Sequence, residues 1–336
     1  MDSAERVSPM KIFVTGSTGF VGSHLVDRLL ERGDKVACLV RETSNLRWLS
    51  DKPVKLVYGD LRGEPGPELE KALKEADCVY HVAGAVMGVQ REDYFQVNAK
   101  GTRNLLDALV RAGATPKRFL LVSSIAAGGP GDGETPVRED RPPHPVSWYG
   151  ESKLEGERIA RSYETHFPVT IVRPSVVFGP RDPGMLPTFS AIRKGLNLVL
   201  GRGVKTNFVY VSDIVTGLIL AAESDQSVGE VLNIGASENI AAAQALRRMA
   251  EAVGRKTITV RVPLFLGYAM AGLSELRVRI TRRPYIFNWQ KMAELRETNW
   301  MIDVTRAREL IGFEPEVSLE EGGRITYNWY LERGWI

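Results

Sequence analysis

The chain has 336 residues, 43% of them hydrophobic and 25% charged, with a formal net charge of +3. That length holds one large globular domain, or one and a half, around a substantial core. So small a net charge, with no run of five like charges, gives no electrostatic footprint for a nucleic-acid partner, and none is expected.

Cys38 and Cys78 lie inside the apolar runs Val36 to Val40 and Cys78 to Val82, where cysteine behaves as a small buried hydrophobe. Free thiols in a reducing compartment, the cytoplasm, are the expectation. Met1 to Pro9 carry Asp2 and Glu5 and no apolar core, which argues against a secretory signal. No apolar window is long enough to predict a membrane-spanning helix.

In chain order, Ile12-Phe13-Val14 is a short apolar strand that runs into Thr15-Gly16-Ser17-Thr18-Gly19-Phe20-Val21-Gly22. Val21, Leu25, Val26, Leu29 and Leu30 then recur at helical spacing. Glycines between a strand and an amphipathic helix let the backbone turn tightly and approach a pyrophosphate, whose charge the exposed amides and dipole of the helix start stabilise. Gly16, Thr18, Gly19, Phe20, Val21 and Gly22 are therefore candidate cofactor-binding residues. The next strand, Val36 to Val40, ends where an acid would select NAD(H) and an arginine would accommodate the extra phosphate of NADP(H). Val40 stands at the acidic position and Arg41 follows, which favours NADP(H) because a guanidinium binds phosphate bidentately. An exposed loop charge is the alternative for Arg41.

Val54 to Tyr58 leads to Gly59-Asp60-Leu61, Cys78 to Val82 leads to Ala83-Gly84, and Phe119 to Val122 leads to Ser123-Ser124, with a helical stretch around Val97 to Val110. Near-continuous apolar strands separated by helices predict an α/β fold, a Rossmann-like, doubly wound parallel sheet with ligands at the carboxyl ends of its strands. Gly16, Asp60, Ala83, Ser124 and the start of the Tyr149 helix all fall at such ends. Residues 10–175 are assigned to this dinucleotide domain, to which 206–234 return, Val231 to Ile234 as an edge strand. A smaller, mostly helical substrate lobe takes 180–205 and 235–336, and the glycine- and proline-rich segment Gly128 to Pro145 is expected as a loop over the cleft between them.

Tyr149 and Lys153, four residues apart, share one helix face. A phenol of ordinary pKa about 10 becomes usable for proton exchange when a neighbouring ammonium and an oxidised nicotinamide favour its anion. Ser124 could hydrogen-bond the same reacting oxygen, and Lys153 the nicotinamide ribose. The four histidines, His24, His81, His144 and His166, offer no pair at metal-ligand spacing, and no metal is assigned.

These motifs, with His81-Val82-Ala83-Gly84, Asn98 followed by Gly101-Thr102, Arg173-Pro174, Phe178-Gly179-Pro180 and Phe208 to Asp213, resemble the extended short-chain dehydrogenase/reductase superfamily, the NAD-dependent epimerases and dehydratases. The likeness covers nearly the whole length. It implies Ser124, Tyr149 and Lys153 as the catalytic triad. It implies Asp60 and Leu61 near the adenine, and Val82, Ala83, Gly84, Asn98, Ser123, Pro174 and Val176 along the rest of the cofactor. A homodimer through a four-helix bundle that includes the tyrosine helix is implied as well. Epimerases of this superfamily carry an asparagine where Val176 stands and an arginine near Thr206-Asn207. Apolar replacement of such anchors points to a less polar ligand, and the chain looks most like the 3β-hydroxysteroid dehydrogenase and dihydroflavonol reductase branch.

The apolar segment Pro263 to Leu273, flanked by Arg277, Arg279, Arg282 and Arg283, points the same way, whether it lines a lipophilic pocket or touches a membrane surface near 264–283; packing on the core is the plainer reading. The expected function is thus an NAD(P)-dependent oxidoreductase interconverting a secondary alcohol and a ketone on an apolar steroid-, flavonoid- or lipid-like small molecule. The alternatives are a nucleotide-sugar epimerase or dehydratase and a non-catalytic cofactor-binding regulator.

Overall fold

In the computed structural model the described residues are 9–201, 203–281 and 288–336. Arg282 and Arg283, and the side chain of Arg279, lie outside the described residues. The strands are β1 (Lys11–Thr15), β2 (Lys35–Val40), β3 (Lys55–Tyr58), β4 (Cys78–His81), β5 (Arg118–Val122), β6 (Val169–Pro174), β7 (Val176–Phe178), β8 (Leu196–Leu200), β9 (Lys205–Tyr210), β10 (Val231–Ile234), β11 (Asn239–Ala241), β12 (Ile258–Val262) and β13 (Asn299–Trp300).

Seven of them form one sheet in the order β3-β2-β1-β4-β5-β6-β10, every neighbouring pair parallel. Because successive side chains point to opposite faces, Ile12 and Val14 enter one core layer while Phe13 enters the other. The same split sends Leu120 and Val122 one way and Phe119 and Leu121 the other. Helices Phe20–Glu31 and Val211–Glu223 cover the first face with Leu25, Val26, Leu29, Ile214 and Leu218. Helices Pro67–Lys74, Gly101–Arg111 and Trp148–Arg161 cover the second with Leu69, Leu73, Leu105, Leu109 and Ile159. Cys38 and Cys78 are free and buried in the first layer, and burial pushes their thiols up to about 11 and about 12.

Strand order reverses beside β1, whose two neighbours are β2 and β4. Parallel strands at such a switch point leave a crevice beyond their carboxyl ends, and the candidate residues meet there.

A second body is built on the four strands β11, β9, β13 and β7, with β8 and β12 paired separately. Phe178, Phe189, Phe208, Tyr210, Met249, Tyr327 and Tyr330 pack its core. The expected return at 206–234 is therefore divided. The helix Val211–Glu223 and β10 join the main sheet, whereas β9 pairs with β7, β11 and β13. Helices make up most of this lobe, with short strands such as Asn239–Ala241 among them that have too few residues to show an alternation in the sequence.

Gly128 to Pro145 runs along the second body and is stitched to it. Gly131 N donates to Asn299 O at 2.9 Å, Val137 N to Met301 O at 2.9 Å, and Asn299 Nδ2 to the carbonyls of Gly133 and Thr135. Those bonds tie the loop expected over the cleft to a strand edge.

Candidate active site

At the first βα turn, Gly16 has φ +73°, and a Cβ there would lie 2.6 Å from Ala83 N. A Cβ on Gly22 would collide with the Gly16 carbonyl. Only glycine permits the turn to sit this close to the β4 loop. The twelve-residue helix that follows begins at Gly19 with no side-chain cap and no acid in its first turn. Its leading amides therefore have neither intrahelical nor side-chain acceptors, the donor set a pyrophosphate completes. Thr18, Phe20 and Val21 are half-buried around this turn and Gly19 is exposed. This cradle fits a dinucleotide.

Farther along the strand ends, Arg41 is exposed just past β2, with its amide donating to Ser44 Oγ at 3.0 Å. Asp60 pairs with Arg62, whose Nε donates to its two oxygens at 3.1 and 3.0 Å. Hydrogen bonds from Arg62, with the charges of Arg62 and Arg41, hold the Asp60 carboxyl below its usual range against partial burial. Arg62 is a second guanidinium at this end of the crevice, and the sequence reading missed it although it stands two residues after Asp60. Leu61 turns its side chain into the core, and its carbonyl accepts from Asn104 Nδ2 at 2.6 Å.

Behind β4 runs a fully specified polar chain. Thr102 Oγ1 spends its proton on Asn98 O at 2.7 Å, so it must accept from His81 Nε2 at 3.0 Å. His81 Nδ1 is left to accept from Thr15 Oγ1 at 2.7 Å, and Thr15 Oγ1 in turn accepts from Ala83 N. Burial, with Lys153 nearby, lowers His81 to about 3, so it is neutral. Asn98, in the π-helical turn Gln96–Lys100, accepts from Ala85 N and donates to Ala85 O and to Ser152 Oγ. It holds the segment after Val82, Ala83 and Gly84 against the tyrosine helix.

That helix, Trp148–Arg161, is capped by Ser147, whose Oγ accepts from Gly150 N at 3.1 Å. A Cβ on Gly150 would meet the Ala126 carbonyl, so glycine lets the helix start lie on the turn that carries Ser124. Ser124 caps the short helix Ile125–Gly128 and lies beside the Tyr149 phenol. Burial pushes the phenol up to about 12, opposed by the Ser124 hydroxyl and reinforced by the Glu294 charge. The sequence reading expected Lys153 to bring this phenol down. Here the Lys153 Nζ is buried and donates to Val122 O at 2.7 Å, and Ser124 is the group that works against the rise. Burial lowers Lys153 itself to about 8, opposed by the Glu157 charge. A Cβ on Gly84 would lie 3.1 Å from Lys153 Nζ, so the ammonium borders the β4 loop.

Ser123 is buried with its Oγ donating to Glu157 Oε1 at 2.5 Å, so its hydroxyl is spent inside the protein. Pro174 ends β6, and Val176 is half-buried at the start of β7. Thr206 and Asn207 are buried. Asn207 accepts from Ser175 Oγ and Ala236 N and donates to the carbonyls of Ala236 and Glu238, so this position offers no free polar group to a substrate. Two residues from the carboxyl-terminal part were also missed: Trp148 N donates to Gln290 Oε1 at 2.8 Å and Ser147 Oγ to Glu294 Oε1 at 2.7 Å.

A parallel sheet with strand reversal at β1, a glycine cradle there, and Ser124, Tyr149 and Lys153 gathered at the neighbouring strand ends define an enzyme of the extended short-chain dehydrogenase/reductase type. The chain belongs to the NAD dependent epimerase/dehydratase family, whose model matches residues 12–235.

Similar proteins fall on both sides of that family. The chain is 30% identical over 327 residues to a ceramide reductase of Caulobacter vibrioides, covering 97% of this chain and 96% of the relative. It is 29% identical to the decarboxylating sterol-4-alpha-carboxylate 3-dehydrogenase of Mus musculus, covering 94% and 90%. Enzymes named for sugar nucleotides also match across most of its length. Among solved structures, the UDP-glucuronic acid 4-epimerase from Bacillus cereus in complex with NAD superposes with a TM-score of 0.75 at 26% identity, covering 97% of this chain and all of that one.

Proposed function

We propose that the protein interconverts a secondary alcohol and a ketone on a largely apolar, lipid- or steroid-like small molecule, with NADP(H) preferred over NAD(H). The observation that carries the substrate class is the segment after β4. It leaves Lys153 at Gly84 and reaches Tyr94 at Gly88, and between and just beyond them Val86, Met87 and Val89 are exposed. The Tyr94 ring is buried 6.5 Å from that of Tyr149, which ties this segment to the tyrosine helix. With the Thr206-Asn207 position closed to ligands, a sugar nucleotide has no anchor there. The relatedness to a ceramide reductase and a sterol dehydrogenase agrees with this reading.

The glycine cradle and the uncapped helix would hold the pyrophosphate, Arg41 with Arg62 close by would meet a ribose phosphate, and Lys153 would bind the nicotinamide ribose. When bound, the nicotinamide gives or takes the hydride. Tyr149 Oη exchanges the proton with the substrate oxygen, and Ser124 holds that oxygen in line through its hydroxyl. Removing this acid–base function costs about 10²- to 10⁴-fold in rate. Tyr149→Phe is therefore expected to lower kcat by at least about a hundredfold with cofactor binding kept.

The deciding experiment follows NADPH absorbance with a panel of ceramide-like ketones, oxosteroids, dihydroflavonols and UDP-sugars. Stoichiometric NADPH loss with an apolar ketone is the expected result. Turnover of a UDP-sugar with no net change in cofactor would establish the epimerase alternative. Arg41→Ala should raise the KM for NADPH and leave that for NADH alone; equal KM values unaffected by the change would remove the NADP(H) preference. A homodimer through a four-helix bundle that includes the helix Trp148–Arg161, and contact of the helix Leu264–Thr281 with a membrane surface, belong to the same proposal. Sedimentation velocity checks the first.

A further inference from the structure

Beneath the catalytic helix lies a charged cluster that the triad does not account for. Glu157, one turn after Lys153 on the same face, is 3% exposed, and Arg173 on β6 is 4% exposed. Arg173 donates to both carboxylate oxygens, Nε to Oε1 at 2.8 Å and Nη2 to Oε2 at 2.6 Å. Ser123 adds a third bond at 2.5 Å. The carboxylate is thus fixed from β5, from β6 and by its own helix, in the arrangement where a guanidinium fork holds an anion most firmly. Burying such a pair gains little stability over apolar packing of the same volume, so a purely structural purpose accounts poorly for it.

Its position accounts for it better. Ser123, which the carboxylate fixes, precedes Ser124, and the Val122 carbonyl just before it receives Lys153 Nζ at 2.7 Å. The titratable or charged groups around Lys153 are Tyr149 and Glu157 from its own helix, His81 from β4 and, beyond the carboxylate, Arg173 from β6; His81 is held neutral, and burial keeps the Tyr149 phenol protonated. Of these only Glu157 stabilises an ammonium at Lys153.

We propose that Glu157, clamped by Arg173 and Ser123, is a positioning residue of the reaction that keeps Lys153 in its ammonium form and holds the Val122 to Ser124 turn against it. The inference rests on the catalytic reading above for its bearing on turnover, though not for its effect on Lys153. The Glu157 charge raises the Lys153 pKa against the burial that lowers it. Without the carboxylate, Lys153 should lose its proton at correspondingly lower pH, and the alkaline limb of the kcat profile should move down with it.

The pH titration of the Lys153 side-chain resonances, by heteronuclear NMR of the lysine-labelled full chain without substrate and assigned with Lys153→Met, measures the first effect. Glu157→Gln is expected to lower the Lys153 midpoint by about one unit or more. Because Gln leaves Arg173 buried and unpaired, Glu157→Gln/Arg173→Met serves as the second variant, with neither charge to desolvate. Glu157→Asp should restore most of the midpoint. A Lys153 midpoint unchanged in folded Glu157→Gln, or no lower in the folded double variant than in Arg173→Met alone, overturns the proposal. Tyr149→Phe separates it from the catalytic reading: if that variant retained full turnover, the triad assignment would fall while the Lys153 titration would stand on its own.

Discussion

Two side chains at the residue scale show what spacing reveals and what it hides. Tyr149 and Lys153 were legible because four residues is one helical turn, and Ser124 because it ends a strand. How the ammonium acts was not legible, since it depends on where Nζ points, and Nζ points at the Val122 carbonyl. Glu157 repeats the same one-turn spacing beyond Lys153 and could have been read, but its partner lies on a different strand. Breaking a buried pair by removing one charge costs about 3 to 5 kcal/mol. Glu157→Gln should therefore lower the unfolding free energy by about that much, and the double variant by clearly less, as urea denaturation will measure. His81 supplies a pH dependence. Its folded pKa, about 3, is depressed below the ordinary 6.5. Below pH 6.5 the unfolded chain takes up a proton that the folded one refuses, so this contribution is complete above 6.5 and is lost as pH falls toward 3. His81→Gln should move the acid-unfolding midpoint to lower pH relative to wild type, measured by circular dichroism.

Elements meet here through small residues. The strand, glycine-turn and helix order was readable because each main-sheet strand is a near-continuous apolar run and each covering helix repeats at 3.6 residues. The seating of the tyrosine helix was not, because its cap reaches Gln290 and Glu294, 142 and 147 residues away. Long-range contacts of this kind leave no local pattern. Gly150 is the exception, a glycine inside a helix, where propensity alone disfavours it. An added Cβ would press on the Ala126 carbonyl and lie 3.0 Å from the Pro145 Cβ. Gly150→Ala should shift the helix start away from Ser124. Since displacements near 1 Å cost about 10²-fold in rate, kcat should fall by about ten- to a hundredfold. Overpacking should cost about 1 to 3 kcal/mol in stability. Steady-state kinetics beside thermal unfolding tests both, and a variant that lost stability but kept kcat would show that the glycine serves packing only.

For the whole molecule, the apolar substrate proposed at the strand ends raises the question of how such a molecule reaches them. No helix among the described residues is long and apolar enough to cross a membrane. The helix Leu264–Thr281 nevertheless buries Gly267, Ala271 and Ser274 inward and leaves Phe265, Leu266, Met270 and Leu273 outward, with Phe265 68% and Leu273 70% exposed. On β12, Ile258 and Val260 are exposed beside the exposed Arg261. Single exposed apolar residues are ordinary, but several on one helix, in a sequence that continues through Arg277, Arg279, Arg282 and Arg283, are what the membrane-contact proposal rests on. Cosedimentation with vesicles containing phosphatidylserine should therefore retain the protein at low salt and release it as salt screens the basic flank. Phe265→Glu/Leu273→Glu should abolish retention and leave turnover of a water-soluble ketone unchanged, because both side chains are exposed to solvent. Retention equal in the variant and the wild type, or none in either, would remove the membrane-contact proposal and leave the exposed Val86, Met87 and Val89 and the closed Thr206-Asn207 position as the structural arguments for a lipophilic substrate.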